Sequence, residues 1–287
     1  MTDQSGPVRT STLTPHLLGS VLAIVAARGG VDFRDYRATT AVRGIEARIR
    51  ATGCPDAASY LGLLEQRAEE IRPLLEAILV RVTQFFRDPG VWTALQYRVL
   101  PSLSAQNTAG SLLRAWSIGT ASGEEAWSIA CLLGALGNPF EVLATDISQR
   151  ALAIARAGVY PAAATLSVPS DLRERYLETS GDDEHSQVRP ELRGHVLFAE
   201  HDLMSAQAVP REAVLAAFDL ILLRNVLIYL DPRLQRKAFE RATQGLVPGG
   251  ALVLGSAEVI PPEAEPLLEP FPRVAPELRI YRRRERS

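Results

Sequence analysis

The sequence predicts a doubly wound parallel α/β sheet carrying a small inserted antiparallel β-subdomain, preceded by a small all-helical domain. Three observations predict it. First, 112–133 (LLRAWSIGTASGEEAWSIACLL) reads as a buried strand over 112–118, a small-residue turn over 119–123 and a helix from Glu124. Second, about twenty residues on, an apolar run at 140–144 ends in Thr145-Asp146, so that strand, glycine turn, helix, strand and acid follow in the order of a mononucleotide-binding half-sheet. Third, FDLILL (218–223) is a further continuous apolar strand, as a parallel sheet covered on both faces requires, whereas residues before 80 show helical periodicity without strands.

The turn limits what the first half-sheet can bind. Gly119 and Gly123 permit backbone conformations closed to other residues and close approach of a ligand, and Thr120 and Ser122 are candidate caps for the helix behind them. The spacing is Gly-xxx-Gly rather than G-x-G-x-x-G, and Glu124 and Glu125 place negative charge where a phosphate would need bare N–H groups. A ligand with a ribose for Asp146 and a positive centre, but no phosphate, suits the loop. S-adenosylmethionine has these features.

Composition excludes several classes. A net charge of −2 gives no global electrostatic case for nucleic acid or membrane binding. Lys237 is the sole lysine, and the arginines are spread along the chain. Two cysteines, Cys54 and Cys131, are too few for a disulfide framework, and Cys131 reads as a core thiol. No apolar run reaches the roughly 18 residues of a membrane span, and the polar start MTDQSGPVRTST lacks a signal-peptide pattern, so cytoplasmic residence is the expectation.

Along the chain, Thr14-Pro15 opens a first helix closed by Gly29-Gly30. A second helical stretch over 31–54 carries Arg43, Arg48 and Arg50, of which Arg43 and Arg50, seven apart, share a face. Asp56 or Ser59 starts a third helix, and 69–82 forms a fourth with Pro73 in its first turn. Asp88-Pro89 opens a helix over 89–100, followed by a polar loop over 102–110. Ser148 caps a helix ended by Gly158. From 159 to 201 prolines, Gly181, Asp182 and Asp183 break the text, with a short helix over 170–177 and brief strands near 187–189 and 195–199, which defines the insertion at about 160–200. His195, Glu200, His201 and Asp202 lack a further well-placed ligand, so no metal is expected. Arg224-Asn225 lie at the carboxyl end of the 218–223 strand, where open α/β sheets bind ligands. Asp231-Pro232 opens a helix to 246, Pro248-Gly249-Gly250 forms a turn before a strand at 251–258, and LRIYRR closes the sheet antiparallel.

Four segments in order, VTQFFRDP (82–89), GTASGEEAWSIA (119–130), ATDIS (144–148) and LRNVLIYLD (223–231), together with the GxxE element at 255–258, resemble the CheR family of chemotaxis receptor methyltransferases over nearly the whole chain. The resemblance implies a class I methyltransferase-like domain over 81–287, a receptor-docking helical domain over 1–80, and S-adenosylmethionine-dependent esterification of glutamate side chains on chemoreceptors, with S-adenosylhomocysteine as product. It implies cofactor-binding roles for Arg81, Thr83, Arg87, Gly119, Glu125, Asp146, Asp202, Leu203, Arg224 and Asn225. Arg87 and Tyr229 would lie at the transferred methyl, and Arg43, Arg48 and Arg50 would form the docking surface. A monomer that neither binds nucleic acid nor inserts into a membrane is expected. The chain departs from the family pattern at Arg81 (commonly Asn), Asp202 (Asn in some members), Leu223 (Cys) and Ser256-Ala257 (His-Ser). Gly44, Glu46 and Ala47 thin the charge of the docking helix, and a short loop over 179–186 predicts no tethering of a receptor's C-terminal peptide.

The chemistry suits such a site. A glutamate with a pKa near 4.3 is already ionised at neutral pH and needs no general base. The work left to the protein is to position the reactants and exclude water. Arg87 matches a carboxylate by its planar fork. Amine or nucleobase methylation is disfavoured, because the strand end reads Arg-Asn-Val-Leu-Ile-Tyr rather than Asn/Asp-Pro-Pro-aromatic. A non-catalytic module that binds the cofactor and docks to a signalling partner is the alternative.

Overall fold

The computed structural model describes residues 13–29, 33–34, 36, 38–78, 83–106, 111–179, 184–205, 207, 209 and 217–285. The chain divides into two units, Met1–Val80 and Arg81–Ser287.

In the first unit, the Thr14 hydroxyl accepts from Leu17 N at 3.3 Å and opens α1 (Pro15–Gly29). Helix α2 (Ala38–Thr52) starts later than the sequence pattern predicts. Phe33 and Tyr36 close a turn ahead of it, with their rings edge-on at 4.8 Å and Phe33 buried. Asp56 caps α3 (Ala57–Gln66) through Ser59 N at 2.8 Å, and a 3-10 turn (Ala68–Glu70) leads into α4 (Ile71–Ile78); the rest of the expected fourth helix, 79–82, lies outside the described residues. The helices pack through Val21, Val25, Ile45, Tyr60, Leu64 and Leu74. Where α2 meets α4, Gly44 leaves no room for a side chain: a Cβ there would lie 2.6 Å from Ile78 Cα. Gly44 thus allows the two backbones to approach closely.

Arg48 is turned into this unit. Its Nε and Nη2 reach both oxygens of the buried Glu70 at 2.8 and 3.0 Å, and the Tyr60 hydroxyl donates to the same carboxylate at 2.9 Å. The hydrogen bond to Glu70 raises the Arg48 pKa and burial raises that of Tyr60, so Arg48 is held as a cation and Tyr60 as a neutral phenol. Arg43 and Arg50 are exposed on α2.

The second unit opens with α5 (Pro89–Ala94), a π-turn (Leu95–Val99) and α6 (Leu100–Gln106). The helix therefore runs past the polar loop expected from 102, because Leu103 is buried on it; 107–110 lie outside the described residues. Then follow β1 (Leu113–Ile118), α7 (Glu124–Leu136), β2 (Phe140–Asp146) and α8 (Gln149–Ala157), capped by Ser148 and closed by Gly158 at φ 60°. The insertion supplies β3 (Val159–Pro161), a 3-10 turn (Ala162–Ser167), α9 (Ser170–Tyr176), β4 (Leu177–Thr179) and β5 (His185–Val188). After α10 (Pro190–Arg193) come β6 (Val196–Glu200), β7 (Phe218–Leu223), a 3-10 turn (Leu227–Tyr229), α11 (Pro232–Gly245) and β8 (Leu246–Leu254). Short β9 (Leu268–Pro270) and β10 (Ile280–Arg283) end the chain.

The main sheet has the order β6-β2-β1-β7-β8-β10-β9, with β6 to β8 parallel and β10 antiparallel to both its neighbours. The inserted sheet is antiparallel, β3-β5-β4. Two sequence expectations change here. The 195–199 run is no part of the inserted sheet; as β6 it pairs in parallel with β2 at the edge of the main sheet, where the His195 ring stacks on Phe140 at 4.5 Å. Pro248-Gly249-Gly250 lies inside β8 as a bulge, where the register jumps from Phe218↔Leu246 to Leu220↔Ala251. Among the described residues no helix is long and apolar enough to cross a membrane. Strand order reverses between β1's two neighbours, so the carboxyl ends of β1, β2 and β7 bound the crevice where such sheets bind ligands.

Gly44→Ala is expected to destabilise the helical unit by about 1–3 kcal/mol, since α4 backbone must move to admit one methyl. Thermal unfolding of the full chain measures this, and an unchanged unfolding curve would contradict the close crossing.

Candidate active site at the carboxyl ends of the central strands

The loop after β1 is shaped by close packing. Gly119 (φ 69°) and Gly123 (φ 96°) hold left-handed backbone, as does Ala121 (φ 50°) between them. A Cβ on Gly119 would lie 2.5 Å from Val226 Cγ2, and one on Gly123 would lie 2.6 Å from Ala155 Cβ. Both glycines therefore serve protein-to-protein contact, seating the loop against the turn after β7 and against α8. The capping expectation is corrected. Gly123 itself is the N-cap of α7, without a side-chain bond, and the Ser122 hydroxyl donates to the Glu124 carboxylate at 2.8 Å. Thr120 Oγ1 is buried without a hydrogen-bond partner among the described residues.

Asp146, at the end of β2, accepts from Ala121 N at 2.9 Å on one oxygen and from Ser148 N at 2.8 Å on the other. The carboxylate is thus locked between the glycine loop and the start of α8.

Arg224 follows β7 and is 4% exposed. Its Nη1 donates to Glu125 at 3.1 Å, and its Nη2 donates to Asp88 at 2.7 Å and to the Arg87 carbonyl at 2.9 Å, while its guanidinium carbon lies 5.5 Å from the Trp92 ring centroid. Nε is buried without a partner among the described residues, which leaves one donor of the fork uncommitted. Ser117 donates to the other Glu125 oxygen at 2.9 Å. Burial pushes the Glu125 carboxyl up, and Arg224 and Ser117 pull it back.

The segment bearing Arg87 is pinned by its backbone. The Arg87 carbonyl also accepts from Trp92 Nε1 at 2.7 Å, and Phe86 N donates to Ser128 on α7 at 3.0 Å. Phe86 (φ 51°) and Asp88 (φ 60°) flank Arg87 in left-handed backbone. Asp88 pairs with Arg224, which brings together three chain segments. Tyr229 is half-buried; burial raises its pKa, the Arg87 charge lowers it, and the Glu258 carboxylate raises it.

Asp202 and Leu203 lie after β6. Asp202 accepts from Met204 N at 2.7 Å, and the same loop is held from α11 by Lys237 Nζ on the Met204 carbonyl at 2.9 Å and by Arg241 on the carbonyls of Leu203 and Ser205. Thr83 is half-buried at the start of the described part of the second unit, and Arg81 lies outside the described residues. The structure therefore gathers Arg87, Gly119, Glu125, Asp146, Arg224, Asn225 and Tyr229 around the β1, β2 and β7 ends, whereas Arg48 is committed to Glu70 in the other unit. Sequence reasoning missed Asp88, Lys237 and Arg241. It noted Glu258 only as part of a four-residue element. Its signal is its position just beyond β8, the neighbour of β7. An acceptor at the β2 end, an uncommitted guanidinium N–H beside the β7 end and acidic residues at the α7 start fit a ligand with a ribose, a carboxylate and a cationic centre, as in S-adenosylmethionine.

The sequence model described as the CheR methyltransferase SAM-binding domain matches residues 81–271, and the CheR all-alpha domain matches 18–79. An uncharacterized 104.1 kDa protein of Rhodobacter capsulatus is 34% identical over 85% of this chain, but the match spans only 25% of that protein. The chemotaxis protein methyltransferase of Salmonella typhimurium is 32% identical over 83% of this chain and 82% of its own length. A probable biofilm formation methyltransferase of Pseudomonas putida is 32% identical over 80% of this chain and 54% of its own.

Burial pushes the Glu124 carboxyl above its ordinary value of 4.5, against its own N–H and the Ser122 hydroxyl. With the folded value raised, the ionised group costs stability above that value and nothing below the unfolded one. Glu124→Gln is therefore expected to match the wild type near about pH 4 and to gain relative stability as pH rises towards neutrality, as read by urea unfolding at both pH values. A relative gain on acidification would overturn this assignment.

Proposed function

The chain belongs to the CheR family of S-adenosylmethionine-dependent methyltransferases, and from that premise we propose that it esterifies glutamate side chains on the cytoplasmic region of a chemoreceptor. The observation that carries this reading is the fixing of the Arg87 backbone: its carbonyl is held by Trp92 and Arg224, and its neighbours are in left-handed backbone. A guanidinium carried on a backbone held this way, in a site whose acidic side chains are already engaged, suits a substrate that is a carboxylate and needs no base.

Bound S-adenosylmethionine supplies a methyl group on a sulfonium. Asp146 would take the ribose hydroxyls, Asp202 and Leu203 the adenine, and Thr83, Glu125, Arg224 and Asn225 the methionine end. Arg87 would orient the incoming glutamate without a fully enclosed pair, since over-tight ground-state binding would slow transfer. Tyr229 would close the site near the transferred methyl and exclude water. Position rather than acid–base chemistry then lowers the barrier. Arg43 and Arg50, exposed on α2, would form the receptor-docking surface, while Arg48 holds the helical unit together through Glu70. The Salmonella relative's name supports a chemoreceptor as substrate, and the Pseudomonas putida relative's name extends the range of pathways such a chain serves.

Incubation with methyl-labelled S-adenosylmethionine and receptor cytoplasmic fragments from the same organism tests the reading. Base-labile label on the receptor is expected, falling about a hundredfold in Arg87→Ala, or about 2.7 kcal/mol of barrier. Cofactor binding without receptor label would favour the non-catalytic docking role.

Arg43→Glu with Arg50→Glu is expected to raise the receptor KM about fivefold, with the loss growing at low ionic strength, and to leave S-adenosylhomocysteine affinity unaltered. Unchanged receptor kinetics would remove α2 from the docking surface.

A further inference from the structure

Glu258 is 2% exposed and spends its whole carboxylate on backbone. Oε1 accepts from Val226 N at 2.9 Å and Leu227 N at 2.8 Å; Oε2 accepts from Gly255 N at 2.7 Å and Asn225 N at 3.1 Å. One side chain therefore ties the end of β8 to the turn after β7. That turn holds Asn225 at φ 59°, an αL conformation that costs a non-glycine residue energy and persists only where its surroundings impose it. Gly255 supplies the room: a Cβ there would lie 3.0 Å from both the backbone N and Nδ2 of Asn225. The next residue, Val226, is the one on which Gly119 of the cofactor loop packs. The Gly255…Glu258 spacing thus provides a gap for the asparagine and, three residues on, the acceptor that fixes its backbone.

We propose that Glu258 is a positioning residue for methyl transfer, holding the 225–227 turn so that the Asn225 side chain meets the cofactor. This rests on the reading that Asn225 is a cofactor ligand. Glu258 touches neither substrate nor cofactor in this scheme and acts through the turn. A glutamine there retains one acceptor oxygen and presents an amide N–H₂ to two N–H donors, so at least two of the four bonds are lost.

The test is a double-mutant cycle read by calorimetric titration of the full chain with S-adenosylhomocysteine. Glu258→Gln is expected to weaken binding about tenfold. Asn225→Gly removes the ligand side chain and relieves the left-handed strain together, so adding Glu258→Gln to it is expected to cost less than about threefold more. Glu258→Asp keeps the charge but not the reach, and gives the same pattern if the glutamine chain does not fold. Equal losses in both backgrounds would make Glu258 a general stabiliser and overturn the proposal, as would full affinity in Glu258→Gln beside a weakened Asn225→Gly. Full affinity in Asn225→Gly would instead remove the ligand assignment itself, and the proposal with it.

Discussion

The site depends on one buried cation. Arg224 has almost no contact with water, and its charge is offset by Asp88 on one side and Glu125 on the other. Burying an ion pair brings little net stability, but deleting one partner leaves an uncompensated charge at a cost of several kcal/mol. The consequence is geometric. Asp88 belongs to the segment that carries Arg87, Glu125 to the first turn of α7, and Arg224 to the end of β7, so these parts can be misplaced only by breaking the triad. Hydrogen bonds from Arg224 and Trp92 to the Arg87 carbonyl extend the same constraint to the residue proposed to face the substrate.

A second consequence concerns which arginines remain for chemistry. The chain uses arginine almost exclusively as its cation, and composition alone cannot tell a structural guanidinium from a functional one. Burial and partners separate them. Arg48 and Arg241 are each spent on the protein's own acceptors, namely Glu70 and the carbonyls after β6, while Arg224 commits its Nη atoms to the Asp88/Glu125 pair and keeps Nε. Arg43 and Arg50 project from α2 into solvent. Seven-residue spacing had already placed those two on one face, whereas the fate of Arg48 depended on where Glu70 falls once α2 and α4 meet at Gly44.

The same division explains what the sequence made legible. Strand, glycine turn, helix and acid are local in the chain, and 113–118, Glu124 and Asp146 stand where the pattern put them. The 195–199 run was misplaced because a short strand carries no mark of its sheet; β6 joins β2 through a pairing set by tertiary packing. Pro248-Gly249-Gly250 reads locally as a turn, yet a bulge accommodates the same residues within β8. Thr120 and Ser122 look like caps, but the left-handed Gly123 takes the N-cap place. Asp88 and Glu258 were hidden for another reason. Their partners lie far along the chain, 136 residues away for Asp88 and more than thirty for the 225–227 turn, and no local pattern announces them.

Backbone strain is concentrated at the site. Of the non-glycine residues with positive φ among the described residues, Phe86, Asp88, Ala121 and Asn225 lie at this site, and only Arg273 and Arg279 lie elsewhere. Each conformation is unfavourable alone, and each is held by a named contact. Ser128 holds Phe86, Arg224 holds Asp88, Asp146 holds Ala121 and Glu258 holds Asn225. Three of these four holders are ionisable side chains that look, from sequence, like ligands or catalysts in their own right. Arg224 and Asp146 combine the two tasks in the proposed scheme: Arg224 holds Asp88 and the Arg87 carbonyl through Nη2 and keeps Nε for the cofactor, and Asp146 would serve backbone and ribose through the same two oxygens. A site that needs no general base can use its charged groups this way, because their catalytic value lies in where they hold neighbouring atoms before the reactants arrive.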